Sequence, residues 1–439
     1  MELAKKIYEI RKENGLSQSK FAGELGVTNK AVSKWENAQA MPSIEQLLKI
    51  SNLFNISLDG LLKDEQLKNK KVYKIALTGG PCSGKTTALS YIQENLERKG
   101  YKVLVISEAA SELILGGVSP ISIDSVLNFE TYAIKWQLEK ERVYEEAAKH
   151  VKGYDKVVLL CDRGIIDCKA YMPSLQFKQC LNALHLNEIT IRDSYDAVFH
   201  LVTAALGAEK FYTLENNKAR SESPEEAIKA DRATLNAWTG HPHLRVIGNT
   251  SDFENKLRHL KAEILNALGE NGNYEIERKF LIEYPNIKQL ENMEHCQKID
   301  IVQTYLNSPE DYEVRIRQRG QNGSYSYYKA TKRRVSNIKR VETEKHITKD
   351  EYLNLMLSAD TTKRQIVKTR YCLVYNNQYF EIDIYPFWNK FAIMEIELRE
   401  ENQKINFPKN INIIKEVTND LKYTNYAIAS NPLKIYNKL

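Results

Sequence analysis

The sequence predicts three folded segments of different class: an all-helical head over residues 1–64, an α/β segment with a parallel sheet over residues 72–268, and an antiparallel β segment over residues 273–439 whose strands curl into a barrel. Three observations predict it. The apolar period changes along the chain, from the 3.6 of short helices, to strands alternating with helices, to a period of two. Two polar breaks, DEQLKNKK (64–71) and GENGN (269–273), stand where those periods change. At 439 residues the chain is too long for one ordinary core.

Composition narrows the class. A hydrophobic content of 42% with 27% charged residues describes a globular chain rather than a disordered one. No apolar run approaches the roughly 20 residues that span a bilayer, and the charges inside MELAKKIYEIRKENG do not fit a secretory signal. Six cysteines (82, 161, 168, 180, 296 and 372) lie scattered without a CxxC pair, which predicts reduced thiols, a cytoplasmic setting and no structural zinc. A net charge of +6 permits anionic ligands without requiring nucleic acid.

In the head, ELAKKIYEIRKENG, SQSKFAGELG, TNKAVSKWENAQ, SIEQLLKISNLFN and SLDGLLK read as helices. Ser17, Thr28, Ser43 and Ser57 stand at N-cap positions, and Gly15 and Gly26 end the preceding helices. Phe21, Ala22, Leu25, Val27, Val32 and Trp35 can form a small core between two helices joined at Gly26. SQSKFAGELGVTNKAVSKWEN resembles the helix-turn-helix of phage-repressor (Xre-like) proteins over about sixty residues. The resemblance implies double-stranded DNA as partner. It assigns Thr28, Asn29, Lys30, Ser33 and Lys34 to bases and phosphates, and Gln18 and Ser19 to the DNA backbone. Residues 1–65 hold nine Lys/Arg and nine Asp/Glu, so affinity would rest on local placement and on a homodimer rather than on a positive field. A helical bundle for protein contacts is the alternative.

In the middle segment the strands read KIALTGG, KVLVISE, KVVLLCD, AVFHLV and LRVIGN. TGGPCSGKTT follows the first strand and fits G-x-x-x-x-G-K-[ST]. Backbone amides of Gly79, Gly80, Pro81 (as spacer), Cys82, Ser83, Gly84, Lys85, Thr86 and Thr87 would surround the phosphates of ATP or GTP. Lys85 would reach the β and γ groups and Thr86 would hold magnesium. Asp162, ending a buried strand, would place a second carboxylate near that metal. Asp162-Arg163-Gly164, with Asp167 and with Glu108 at the end of the second strand, resembles the nucleoside and nicotinamide-riboside kinases within the AAA-type group. That resemblance implies a lid in NNKARSESPEEAIKADR, with Arg220 and Arg232 near the phosphates. No second pattern names an acceptor, so nucleotide binding, hydrolysis and kinase activity all stay open.

In the last segment charges recur two apart. Glu275, Glu277 and Lys279 share one strand face, with Ile276, Arg278 and Phe280 on the other. Glu313, Arg315, Arg317 and Arg319 repeat the pattern, as do Glu342 and Glu344, Lys368 and Arg370, Glu381 and Asp383, and Glu395 and Glu397; Lys332 adds a cation, with Lys329 opposite. One such strand is ordinarily the wet side of a sheet. Six of them would repel across an open face, whereas a closed barrel would gather acids and cations around water, metal and anion. Carboxylates suit Mg²⁺ or Mn²⁺, and arginines take phosphate oxygens in pairs.

Glu275-x-Glu277-x-Lys279 and the ordered pairs after it resemble the CYTH, or triphosphate tunnel, family. The family implies an eight-stranded antiparallel tunnel, a divalent metal and hydrolysis of inorganic or organic triphosphates. By position, Glu275, Glu277, Asp383, Glu395 and Glu397 would be metal ligands, and Lys279, Arg315, Arg317, Lys332 and Arg370 would bind phosphate. Glu277 and Lys279 would act in catalysis, as Lys85 and Asp162 would in the middle segment. A transcription regulator that senses nucleotide or polyphosphate without turnover, and an adenylate cyclase, are the rival readings.

Overall fold

In the computed structural model, the described residues are 2–54, 58, 70–211, 223–249, 252–270, 276–309, 312–334, 340–400 and 402–430. The chain forms two compact units, Met1–Lys71 with Lys149–Val157, and Val72–Ala148 with Val158–Leu439.

Among its described residues the first unit carries α1 (Glu2–Glu13), α2 (Gln18–Leu25), α3 (Asn29–Glu36) and α4 (Ile44–Leu53). The expected caps hold three of them: Ser17 accepts from the Lys20 amide, Thr28 from the Ala31 amide, and Ser43 forms a reciprocal box with Gln46. Gly26 sits at φ 69°, the left-handed conformation that lets α2 stop and α3 leave at an angle. Phe21, Ala22, Leu25, Val32 and Trp35 bury together with Ile7, Ile10 and Ile50. The cap predicted at Ser57 lies outside the described residues.

The second unit holds two sheets. The first has strands β1 (Lys71–Thr78), β2 (Lys102–Ile106), β3 (Lys156–Asp162), β4 (Ala197–Leu201) and β5 (Leu244–Ile247) in the order β2-β3-β1-β4-β5. β4 runs parallel to both β1 and β5. Apolar residues of β1, β3 and β4 pack under helices Lys85–Glu97 and Phe253–Ala267.

The second sheet contains β6 (Ile276–Glu283), β7 (Cys296–Tyr305), β8 (Tyr312–Gln321), β9 (Ser324–Arg334), β10 (Arg340–Ile347), β11 (Ile366–Tyr375), β12 (Gln378–Ile384), β13 (Phe391–Leu398) and β14 (Ile413–Glu416). Their order is β10-β9-β8-β7-β11-β12-β13-β6-β14. The expected large antiparallel sheet is thus present, with nine strands among the described residues where eight were expected, and among these residues no pairing joins β10 to β14. β14 is the extra strand; it lies along β6 through a register shift between Ile413 and Lys415. Among the described residues the last helix follows it, at Asn425–Ser430. All four β14 residues are exposed, so no alternation of burial marked it.

One face of this sheet is an apolar core built on Phe280, Ile282, Phe380, Ile382, Met394 and Ile396. The other face carries the predicted charges. Along it, they are flanked by two apolar groups: Leu281, Tyr305, Ile366 and Ile393 packed with Tyr423 and Ile428, and Ile299, Ile301 and Cys372 with Tyr379.

Candidate functional sites

On α3, Asn29, Lys30 and Lys34 are exposed and Ser33 is half-buried; Thr28 and Ser19 are exposed beside them. Gln18 differs. Its amide donates to Glu36 at 2.8 Å, joining a buried pair in which Arg11 meets Glu36 through Nε at 2.5 Å and Nη2 at 3.0 Å. Burial pushes the Glu36 carboxyl up, but the hydrogen bonds from Arg11 and Gln18 bring it below the usual range. This pair ties α1 to α3 and α2, and so fixes the angle of the exposed face.

The phosphate loop is shaped by three close approaches. Gly79 has φ 141°, and a Cβ there would meet the Leu201 carbonyl oxygen at 2.2 Å. Gly80 lies against Asp231, and Gly84, at φ 86°, lies against the Phe253 ring. Asp231 accepts from the Gly80 amide at 2.8 Å and the Thr203 amide at 3.0 Å, and Lys256 Nζ donates to the Ser83 carbonyl at 3.2 Å. Pro81 and Cys82 complete the turn through their carbonyls, which Thr203 Oγ1 and the Ala204 amide reach. Lys85 Nζ folds onto the Gly79 carbonyl at 3.1 Å. Burial, with Arg163 nearby, pushes the Lys85 amine down to about 8. Thr86 and Thr87 are exposed at the helix start.

Asp162 sits at the end of β3, with its buried Oδ1 lacking a hydrogen-bond partner and its carboxyl pushed up by burial. Ser83 Oγ is likewise buried without a partner. Buried polar groups of this kind are rare in folded chains, and a hydrated divalent cation with phosphate would satisfy both. Glu108 is ion-paired with Arg163, Oε1 lying 2.8 Å from Nε. Asp167 is a fastening: it accepts from the Thr78 hydroxyl, the Gly164 amide and Trp238 Nε1. Arg232 is exposed, 3.8 Å from Glu294. Arg220 lies outside the described residues.

Register then assembles the charged sheet face. Lys279 stands opposite Glu395 and Glu277 opposite Glu397. Glu395 stands opposite Glu381, and Asp383 opposite Arg370. Beyond β7, Arg317 faces Gln303 and Arg315 faces Tyr305. Lys332 is opposite both Glu313 and Glu342, while Lys329 points to the other side, as expected. Glu275 lies outside the described residues, as does the side chain of Glu342.

The charges are buried rather than washed by solvent: Asp383 is 0% exposed, Lys368 3%, Glu395 6%, Arg370 7% and Arg315 8%. Arg370 grips Asp383 through Nε and Nη2, both at 2.7 Å, reaches Glu395 at 3.1 Å and also meets Glu381. Lys279 meets Glu395 at 2.6 Å and Glu277 at 3.9 Å, and Lys368 meets Asp383. Arg317 is 3.3 Å from Glu344 through Nη1, while its buried Nε lacks a hydrogen-bond partner. Burial alone would raise the Glu395 carboxyl; Lys279, Arg370 and Lys368 hold it well below the ordinary range. Burial, with Arg370 beside it, pushes Lys368 down to about 8.

Among the described residues no group of three or more His, Cys, Asp or Glu side chains is gathered closely enough to hold a metal ion. The donors are nonetheless all carboxylate oxygens, the chemistry that hard divalent cations take, and Glu277 and Glu397 are directly opposed. Sequence reasoning missed Asp231, Lys256 and Arg245 as site residues. The first two act on the loop from more than a hundred residues away, and Arg245 meets Glu397 across two sheets.

Family models match all three segments: a helix-turn-helix over residues 7–61, an AAA domain over 74–256 and a CYTH domain over 273–423. The chain is thus a three-part fusion, with each part similar to a different family. Among curated relatives, the transcriptional activator BcrR of Enterococcus faecalis is 37% identical over 15% of this chain and 33% of its own length. The regulator ImmR of Bacillus subtilis is 36% identical over 16% of this chain and 55% of its own. The chain therefore spans about a third to a half of these relatives. Among solved structures, the inorganic triphosphatase NE1496 is 28% identical over 36% of this chain and 95% of that one, at a TM-score of 0.25. Among the described residues no helix is long and apolar enough to cross a membrane.

Proposed function

We propose that this is a DNA-binding protein that joins a nucleotide-binding loop to a divalent-metal-dependent triphosphatase. One observation carries the catalytic part: a single sheet face gathers Lys279, Arg315, Arg317, Lys368 and Arg370 with Glu277, Asp383, Glu395 and Glu397, largely buried, in a segment matched by the CYTH model. Arginines and lysines of this kind bind the oxygens of a phosphate chain, and the unpartnered Arg317 Nε is a donor ready for one. Mg²⁺ or Mn²⁺, held by Glu277, Glu395 and Glu397 with Glu275, would supply Lewis acidity and an activated water. Lys279 and Arg370 orient the chain and offset the charge that builds on the transferred phosphoryl group. In the loop, Lys85, Thr86 and Asp162 would hold ATP or GTP with Mg²⁺.

The test is phosphate release from tripolyphosphate with Mg²⁺ or Mn²⁺. Glu277→Gln should abolish release and leave nucleotide binding at Lys85 intact. No release from any triphosphate would sink the enzymatic reading.

A second reading, a sensor without turnover, has one observation in its favour: Asp383, Glu395 and Glu397 are each already neutralised by a cationic side chain. Tight tripolyphosphate binding with no release would select it. For the head, Lys30→Ala with Lys34→Ala should weaken retention on genomic DNA fragments and lower the salt dependence of binding by about two phosphate contacts. Unchanged retention would point to a protein partner.

A further inference from the structure

One end of the charged face is floored by the α/β segment, through contacts as buried as a core. Arg319 Nη2 donates to the Gly240 carbonyl at 2.8 Å and Nη1 lies 3.4 Å from Asp193 Oδ2; both residues are nearly inaccessible. Tyr379 donates to the His241 carbonyl at 2.9 Å. Gly240 sits at φ 98°, a conformation that favours glycine, and a Cβ there would meet Arg192 Nη1 at 2.8 Å. Arg319, the innermost arginine of its strand, is thereby committed to the seam rather than to a ligand.

From this floor Arg245 of β5 rises to Glu397. Its Nη2 meets Glu397 Oε2, its Nη1 donates to the Leu244 carbonyl at 3.1 Å, and its Nε is 3.8 Å from Glu263. The two partners are 26% and 32% exposed, the wettest pair on this part of the face. Glu397 stands opposite Glu277 and two residues from Glu395. Arg245 therefore adds a guanidinium from another segment beside the carboxylates proposed to take the metal.

We infer that the triphosphate site is composite, and that Arg245 is a substrate-binding residue supplied by the nucleotide-binding segment. The inference rests on the triphosphate reading above. When Glu397 exchanges its arginine for a cation, the freed guanidinium has a phosphate oxygen of the same ligand as its new partner, and the charges still balance. Glu263, itself held by His259 at 3.3 Å, keeps Arg245 aimed at the site during that exchange. A guanidinium that turns from a carboxylate to a phosphate in this way trades one charge-assisted pair for another.

The test uses the full chain and tripolyphosphate binding by calorimetry in EDTA, where no turnover occurs. Glu397→Gln releases Arg245 and should tighten binding roughly tenfold, the scale of one charge-assisted hydrogen bond. That gain should vanish when Arg245→Ala is added, and persist in part with Arg245→Lys, which keeps the charge without the fork. With Mn²⁺ present, Arg245→Ala should raise KM for tripolyphosphate roughly tenfold while kcat changes little. A gain from Glu397→Gln that survives Arg245→Ala would reduce Arg245 to a clamp between segments and overturn the inference, leaving the triphosphatase reading standing. Absence of tripolyphosphate binding by the unsubstituted chain both in EDTA and with Mn²⁺ would remove both.

Discussion

The phosphate loop and the charged sheet face prepare for anions in opposite ways. In the loop, the backbone does the shaping: glycines at positive φ or in close contact turn the amides inward, Lys256 braces the Ser83 carbonyl, and Lys85 is the lysine of the motif. That lysine rests on a neutral carbonyl and its proton is loosened to about 8. On the sheet, side chains do the shaping, and the cation at the corresponding role, Lys279, sits between Glu395 and Glu277. Burial opposes its charge, yet those carboxylates raise it above the ordinary lysine range. One site offers backbone amides and a lysine that rests on a carbonyl. The other carries its own counter-charges, so its ligand must arrive with cations of its own or displace those pairs.

The largest consequence falls on Arg370, which serves three carboxylates from 7% exposure. Removing one partner of a buried ion pair strands the others. Arg370→Met should cost about 3–5 kcal/mol by urea denaturation. A loss below about 1 kcal/mol would mean that water screens this face as it does surface pairs, and the contrast with the loop would collapse.

How legible each region was follows from the same difference. The loop could be read because its residues are contiguous and each has one physical task. The sheet face could be read in outline, since a period of two fixes which residues share a side; Glu277, Lys279, Arg315, Arg317, Lys332, Arg370, Asp383, Glu395 and Glu397 do share one. Strand order was not readable, because pairing β6 with both β13 and β14 depends on contacts more than a hundred residues apart. Neither was Asp231: an aspartate inside a helix looks like solvated surface until the loop amide is placed on it. The contact from Gln18 to Glu36 was unreadable for a similar reason, its partner lying at the end of the next helix.

A smaller effect separates the regions at the loop. Lys85→Ala removes a half-buried cation that, among the described residues, has no carboxylate within hydrogen-bonding distance, so it should weaken ATP binding roughly a hundredfold, the scale of lost charge-assisted contacts to phosphate, without lowering urea stability. Lys279→Ala should do the reverse and destabilise the fold by stranding Glu395. Fluorescent-nucleotide titration and denaturation of both variants check this. Equal stability losses would show that Lys85 is structurally paired after all.

The smallest effect is one of pH, and its sign distinguishes the two kinds of lysine. Lys256 donates to the Ser83 and Val202 carbonyls and to Asn249, and burial pushes it down to about 8. Its ordinary value of 10.5 applies in the unfolded chain, which therefore holds the extra proton between pH 8 and 10.5. Stability from this group must rise with pH across that window. Lys279 is shifted the other way: its contribution is complete below 10.5 and is lost only as pH climbs through its higher folded value. Comparing the chain with Lys256→Met should thus show a stability difference that moves in favour of lysine from pH 8 to 10, by about 1–3 kcal/mol. The same comparison with Lys279→Met should stay flat over that range. A flat Lys256 profile would mean that the loop lysines are hydrated, and that the loop does not wait for its anion with a dehydrated charge.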